Sequence, residues 1–526
     1  MHAPAAIVLA VTALAEPADA NDPFQAAALA PPNVRMYVHV AGAAEIRAAV
    51  ADRPLARWVN SLLGAGQLRD AWHRLAAAAG IDGGQLFDTC LGRRFTLLLR
   101  GRDQPPQWAV LTEVNPQQIE KLLAALSPRV LGPKHKLAIL HLPEHELLLA
   151  QSGAMLLIGP RPRSELFYEM VSNLTQPPEE SLAASEAMAE AGRLGPGSVG
   201  VFLRHEPPMG GWSVAVADLK GPHISIQHSA RFDHPPFTSN VTGFAWDLAP
   251  IHRLQDSTIL TFIEPIDKSG GPLEAFVTAA LGKAPMTAQM RANLGSRQIT
   301  TIGDFSGQLE QPPGDLRLPA VARVYEVKNA DQAWDQLDRQ MIWLVHELVR
   351  FGGGDIRLAV PDPAGFEPGK PRRVEVGPLA SWLFGDVPGV EMVSLNWTVV
   401  RGPLGTWCII ASDPDHLGDV ATALGAEPNG ESNIARWANC GTANGRRLAA
   451  HLGGWRDQAE LLVSPEDVEA FRGALRLFFE LADAIERCTW QLARPSTDRL
   501  QLEVRLTLSP PDSAHSSLSI GMENLR

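Results

Sequence analysis

The sequence predicts an α+β fold made of two related repeats, each a mainly antiparallel sheet with helices packed on one face. Three observations lead there. A strand-turn-helix stretch, 108–126 (WAVLTEVNPQQIEKLLAAL), recurs at 320–337 (AVARVYEVKNADQAWDQL), with a Glu-Val pair in each copy (Glu113-Val114 and Glu326-Val327). The apolar runs of each half follow one another through short turns, which favours antiparallel pairing over a doubly wound parallel sheet. The chain has 526 residues, 45% hydrophobic and 20% charged, which exceeds one ordinary domain and suffices for more than one core.

In order along the chain, residues 1–20 read as an export signal. Residues 5–15 (AAIVLAVTALA) form an apolar run of signal-peptide length and Ala18-Asp19-Ala20 a small-residue cleavage site, although the start carries His2 and no Lys or Arg. Residues 21–32 form a linker. The first repeat is assigned to 33–250. Its first strand, 34–40 (VRMYVHV), alternates as a half-buried strand does. Helices are expected over 45–63 and 67–79, stopped by Gly64, Gly66 and Gly80. Strands 94–100 and 108–114 make a hairpin through the loop 101–106, and 116–126 is helical. Strands 137–142 and 146–158, the latter turning at 151–153, precede helices over 164–174 and 181–193. Strands 198–204 and 212–232, folded at 220–222, finish the repeat.

The second repeat, 251–509, follows the same order. Strand 257–264, helix 273–281 and strand 298–305 lead to the duplicated strand 320–327 and its helix 331–349, which Gly352, Gly353 and Gly354 end. A Pro/Gly-rich insertion occupies about 355–388. Strands 391–400 and 407–412, a helix over 415–424, the segment 446–452, a long helix over 465–487, and strands 488–493 and 499–508 close the unit. Residues 510–526 are a polar tail.

Composition excludes some classes. Lys and Arg number 46 against 58 Asp and Glu, a net charge of -12, and no basic block interrupts the chain, so no nucleic-acid partner is expected. After removal of the signal no run approaches the roughly 18 apolar residues of a membrane span. The four cysteines, Cys90, Cys408, Cys440 and Cys488, contain no C-x-x-C pair, so a zinc ribbon or thioredoxin-like site is excluded by spacing. Export permits disulfides; the pairing and the alternative of buried thiols both stay open.

Several motif matches fail on context. His141-Leu142-Pro143-Glu144-His145 fits H-x-x-E-H, which needs two imidazoles one helical turn apart, but Pro143 lies between them and both flanks read as strands. Gly195 to Gly200 fits G-x-G-x-x-G, yet it follows a helix and opens a strand, the reverse of a dinucleotide site. The sequons at Asn173, Asn240 and Asn396 read as chance matches, since two sit beside or inside apolar elements. Of the 13 Trp, most are expected in packing, with Trp382-Leu383-Phe384 a candidate sugar- or lipid-facing platform. Asn115 and Asn329 suit helix caps, and Glu113 and Glu326 strand edges. No catalytic, cofactor-binding or metal residue is assigned, and no cofactor is expected.

The order of a signal, the VRMYVHV strand, helices, the PPxWAVLxEV hairpin and helix, and a second copy resembles an uncharacterised family of large exported bacterial proteins, known only as a domain of unknown function. The resemblance implies a soluble or envelope-associated exported protein (periplasmic, cell-envelope or extracellular) and carries no catalytic residues. The expected function is therefore a non-catalytic protein that binds a partner protein or an apolar ligand through its paired lobes. The alternative is an envelope hydrolase with a dispersed site, for which His141, Glu144 and His145 are the only residues to name.

Overall fold

Met36–Ala41 (β1), MYVHVA, is buried at all six positions. A strand covered on both faces belongs in the middle of a sheet. The computed structural model describes residues 22–42, 53–55, 93–101, 107–120, 129–130, 136–141, 146–161, 164–234, 244–266, 288–306, 318–351, 370–381, 392–426, 434–453, 472 and 478–510, apart from 118, 177, 221, 248, 256, 378–380 and 404. The chain divides into two compact units, Met1–Asn240 with Arg494–Leu518, and Val241–Ala493 with Ser519–Arg526.

In the first unit β1 is joined by Arg94–Arg100 (β2), Gln107–Glu113 (β3), Arg129–Val130 (β4), Lys136–His141 (β5), Glu146–Ser152 (β6), Met155–Pro160 (β7), Val199–Arg204 (β8), Trp212–Lys220 (β9) and His223–Arg231 (β10). All pair antiparallel, in the order β4-β5-β6-β7-β3-β2-β1-β8-β9-β10. Two helices pack on this sheet, Glu165–Asn173 (α1) and Glu186–Leu194 (α2). From α1, Leu166, Phe167 and Met170 turn inward at helical spacing and meet Tyr37, Leu98, Leu111, Leu157 and Phe202 in one core. Phe167 is fully buried, so truncation to Ala costs about 3–5 kcal/mol. Residues 22–32, expected as a linker, belong to the same core: Ala27 and Ala30 are buried and Phe24 stacks on Tyr37 at 5.7 Å.

The second unit contains Phe244–Asp247 (β11), Ala249–Leu254 (α3), Leu260–Pro265 (β12), Ala288–Asn293 (α4), Leu294–Asp304 (β13), Pro319–Val327 (β14), Ala330–Phe351 (α5), Arg372–Glu375 (β15), Ser394–Gly402 (β16), Gly405–Ala411 (β17), Pro414–Gly425 (α6), Ile434–Trp437 (β18), Asn439–Ala443 (β19), Gly445–Gly453 (α7) and Ile485–Ser496 (β20). Its antiparallel order is β15-β16-β17-β14-β13-β12-β19-β20, while β11 and β18 form a separate pair. Helix α5 is capped by Asn329, whose Oδ1 accepts from Gln332 N at 3.0 Å. Its apolar stripe, Ala333, Trp334, Leu337, Met341 and Val345, packs with Trp397 of β16 and Cys408 of β17. Helix α6 starts on Asp413, whose carboxylate accepts from Asp415 N at 3.1 Å and His416 N at 2.9 Å, with Pro414 as the first helical residue.

Arg499–Leu508 (β21) pairs with β10, so the last strand belongs to the first unit. This corrects the expected fold class. Nineteen strands belong to one hydrogen-bonded antiparallel sheet, and among the described residues 21 strands outnumber 7 α-helices. Two α+β repeats, each a sheet of its own with helices on one face, do not describe it. The physical reason lies in β20 and β21: β20 runs through the Ala493/Arg494 division without a break, and no local pattern reveals where a closing strand will pair. Inside the sheet an order of pairing recurs, β5-β6-β7-β3-β2-β1-β8-β9 being traversed like β15-β16-β17-β14-β13-β12-β19-β20. The segment expected as an insertion contains β15. The signal at 1–20, helix 273–281 and the tail beyond residue 510 lie outside the described residues, as do helices 45–63 and 67–79 except for residues 53–55.

Candidate functional site

Three neighbouring strands of the first unit end together. Met36 of β1 is in register with Leu99 of β2 and with Leu203 of β8. One residue further out, Arg35 N donates to Leu99 O at 2.9 Å and Arg204 N donates to Arg35 O at 2.8 Å. The backbone ladder thus continues to the sheet's rim and fixes the side chains that leave it. Asn33, Arg35, Gly101, Arg204, His205 and Glu206 line an open cleft of about 180 Å³ there.

Each wall has a local cause. Gly101 turns the chain away from β2 with φ +85°, which favours glycine. The connection from β8 to β9 is closed by His205 N donating to Gly211 O at 2.9 Å and Gly210 N donating to Glu206 O at 3.1 Å. Gly211 has φ +86°, and a Cβ at that position would run into the Arg231 carbonyl. The loop therefore holds Glu206 beside Arg35, and the two form an ion pair. Arg204 Nη2 donates to Pro32 O at 2.7 Å. Among the described residues its guanidinium meets that carbonyl and no carboxylate. His205 is stacked on Phe232 at 5.0 Å, and its Nε2 lies 2.6 Å from Ser213 Oγ. Burial lowers its pKa, against the Gly210 backbone and Asp233, which raise it; the neighbouring His228 is pushed down to about 4 by burial and by His205.

A second polar constellation lies in the second unit. Thr301 Oγ1 stands 2.8 Å from His416 Nε2, and Thr301 faces Thr261 across β12 and β13. Thr258 Oγ1 is 2.7 Å from Thr261 Oγ1 and donates to Leu254 O at 2.7 Å. Asp413, which caps the helix, also accepts from Ser306 Oγ at 2.6 Å. A hydroxyl against an imidazole is the opening of a nucleophile-base pair. Thr301 is 0% and His416 4% exposed, however, so no substrate reaches them, and the arrangement satisfies buried polar groups. Burial also lowers the His416 pKa, with Asp413, Asp419 and Asp304 acting in the opposite direction.

The residues singled out in the sequence are placed as follows. His141 ends β5 in register with Glu146 of β6, so H-x-x-E-H spans a hairpin connection; residues 142–145 lie outside the described residues. Gly195 is the C-cap of α2 and Gly200 lies within β8, a helix-to-strand order. Asn173 is buried and donates to Leu29 O at 2.8 Å, and Asn396 is buried against Ser394 and Ala411. Cys408, Cys440 and Cys488 are free thiols, pushed up by burial to about 12, 12 and 11. Cys90, Asn240 and Trp382-Leu383-Phe384 lie outside the described residues. Asn115 Oδ1 accepts from Gln117 N at 3.0 Å, a helix-start contact. Glu113 lies 3.6 Å from Arg94 and 3.7 Å from Arg93. Glu326 accepts from Ser296 N at 2.9 Å, Ser296 Oγ at 3.1 Å, Arg297 N at 3.2 Å and Arg297 Nη2 at 2.5 Å.

Arg35, Arg204, His205 and Glu206 are not singled out by the sequence. The available signal is the loop HEPPMGG directly after an apolar strand, where Pro-Pro and Gly-Gly mark an ordered turn. Among the described residues no three His, Cys, Asp or Glu side chains group to hold a metal ion, and no helix is long and apolar enough to cross a membrane. No protein-family model, curated protein or solved structure matches the chain. The family resemblance drawn from the hairpin pattern therefore brings no residue role to the cleft.

Proposed function

We propose that the chain is an exported, non-catalytic binding protein that recognises its ligand through the cleft at the ends of β1, β2 and β8. The observation that carries this reading is the way three adjacent strands, tied by backbone hydrogen bonds out to Arg35 and Arg204, end on one open rim, to which the β1 and β8 ends deliver Arg35, Arg204 and Glu206. Groups held by strands are positioned more accurately than groups on free loops, and positioning is what recognition requires. Of the ligands the sequence leaves open, a partner protein and an apolar molecule, the polar lining favours a polar partner.

The test is hydrogen exchange on the full chain with a defined panel: acidic, basic and neutral synthetic peptides and neutral oligosaccharides. Slowed exchange at 33–35, 99–101 and 204–211 with one panel member, recovered chemically intact, is the expected result. No protection by any member, or protection by one that is cleaved, overturns the reading. Export belongs to the same proposal. A mature N-terminus after Ala20 in the exported fraction supports it, and retention in the cytoplasm with Met1 intact contradicts it.

A further inference from the structure

Resting on the binding reading above, we infer that the cleft takes a carboxylate, held by the guanidinium of Arg204 with that of Arg35 beside it. The chain itself supplies the first argument. Glu206, carried on the β8–β9 loop, already places a carboxylate against Arg35, so the rim accommodates that group. Arginine's planar fork matches a carboxylate with two parallel hydrogen bonds.

The second argument is charge. Among the described residues that line the cleft, two guanidiniums against one carboxylate leave one positive charge, on Arg204, whose contact there is the neutral Pro32 carbonyl. One carboxylate balances it, and a second carboxylate on the same molecule stays in solvent at the open rim, whereas a dianionic phosphate brings both of its charges on one group beside Glu206. The third argument is exchangeability. The Arg35 and Glu206 side chains are 39% and 46% exposed, and ion pairs of that exposure are worth little. An entering carboxylate can therefore share Arg35 with Glu206 or displace it. Against the net charge of -12 of the whole chain, this local reversal of sign is a selective feature.

A carboxylate can come from a small free acid or from an acidic protein segment, and the experiment separates the two. The full chain is titrated calorimetrically with succinate, with succinamide as the neutral control, with a capped Asp/Glu tetrapeptide and its Asn/Gln counterpart, and with inorganic phosphate. Hydrogen exchange on the same mixtures locates the site. Expected is binding of succinate, the acidic peptide or both at the cleft, with the amide counterparts weaker. Arg204→Gln weakens it by about tenfold or more, and Arg204→Lys, which keeps the charge and loses the fork, falls between. Glu206→Gln strengthens it up to about fivefold by removing the internal competitor, a gain that a merely structural Glu206 does not give. Succinate alone identifies a small acid, and the peptide alone an acidic segment.

The inference is overturned if neither acid binds, if phosphate binds more tightly than both, or if Arg204→Gln and Arg204→Lys leave affinity unchanged. Protection of the cleft by a neutral panel member alone overturns the carboxylate and keeps the binding reading. Protection by no probe overturns both.

Discussion

The cleft around Arg204 and the cluster around His416 are both built at the central strands of their units, β1 and β2 in one and β12 and β13 in the other, from histidine, hydroxyl and charged side chains. Access separates them. Arg35 and Glu206 are more than a third exposed, while Thr301, Thr261 and His416 are sealed. A polar group cut off from water must find its partner inside the protein, and its energy then specifies packing. A polar group at an open rim keeps its water and can exchange it for a ligand. Similar chemistry therefore supports stability in one place and recognition in the other.

The largest effect that tests this division is His416→Ala. It strips Thr301 of its 2.8 Å partner and leaves a void beneath α6, at a cost of about 2–4 kcal/mol read from the shift of the denaturation curve. A shift below about 0.5 kcal/mol would break the comparison from the buried side. Next come the two recurrent glutamates. A register shift between Leu294 and Gln298 turns the Ser296 and Arg297 N–H groups toward Glu326, and Arg297 stacks over Trp407 at 5.0 Å. Glu113 has only loose ion pairs beside an unbroken register. Glu326→Gln is expected to cost about 1.5–3 kcal/mol and Glu113→Gln less than about 1 kcal/mol.

Acid sharpens the contrast further. Burial alone raises the Glu326 pKa, but the Arg297 and Ser296 hydrogen bonds and the Arg297 charge together bring it below the usual value. Its stabilisation is present above the unfolded value of about 4.5 and is lost as pH falls through the lower folded value, so wild type and Glu326→Gln converge in acid. Histidine acts over a higher window. His39, whose Nδ1 lies 2.8 Å from Thr96 Oγ1, is pushed down to about 4 by burial and by Arg94. Between about 6.5 and about 4 the unfolded chain binds a proton that the folded chain refuses, so stability falls as pH drops through that interval. Denaturation midpoints measured from pH 7.5 to 4 should decline, and His39→Gln should flatten part of the slope. An unchanged slope would remove His39 from the sealed class. The smallest expected effect on stability is Arg204→Gln, within about 0.5 kcal/mol, because among the described residues the exposed guanidinium meets a carbonyl and no carboxylate.

Much of the local structure was legible. The apolar run in RFTLLLR marks the strand at 94–100, and Asn329 caps α5 as a short polar side chain before an apolar stripe does, whereas the helix expected from 181 starts after Ser185 and Asp413, the cap of α6, was not singled out. Where tertiary pairing decides, the sequence is silent. The helix expected through Arg487 gives way to strand at Ile485, because Cys488–Leu492 pair with β19 and the ladder overrides local helix propensity. Strands β11, β15 and β18 are four residues each, too short to show a period. The cleft was illegible because Arg35 and Arg204 are brought together by the pairing of β1 with β8, which no spacing along the chain encodes.

The measurement that bears most directly on the division between sealed and open polar groups is a succinate and acidic-peptide titration of wild type, Arg204→Gln and His416→Ala side by side, each with its denaturation curve. Arg204→Gln should lose about tenfold or more in affinity with its stability intact, while His416→Ala, kept well below its lowered midpoint, should lose stability and bind as wild type does. The opposite pattern, binding abolished in folded His416→Ala and retained in Arg204→Gln, would contradict the account.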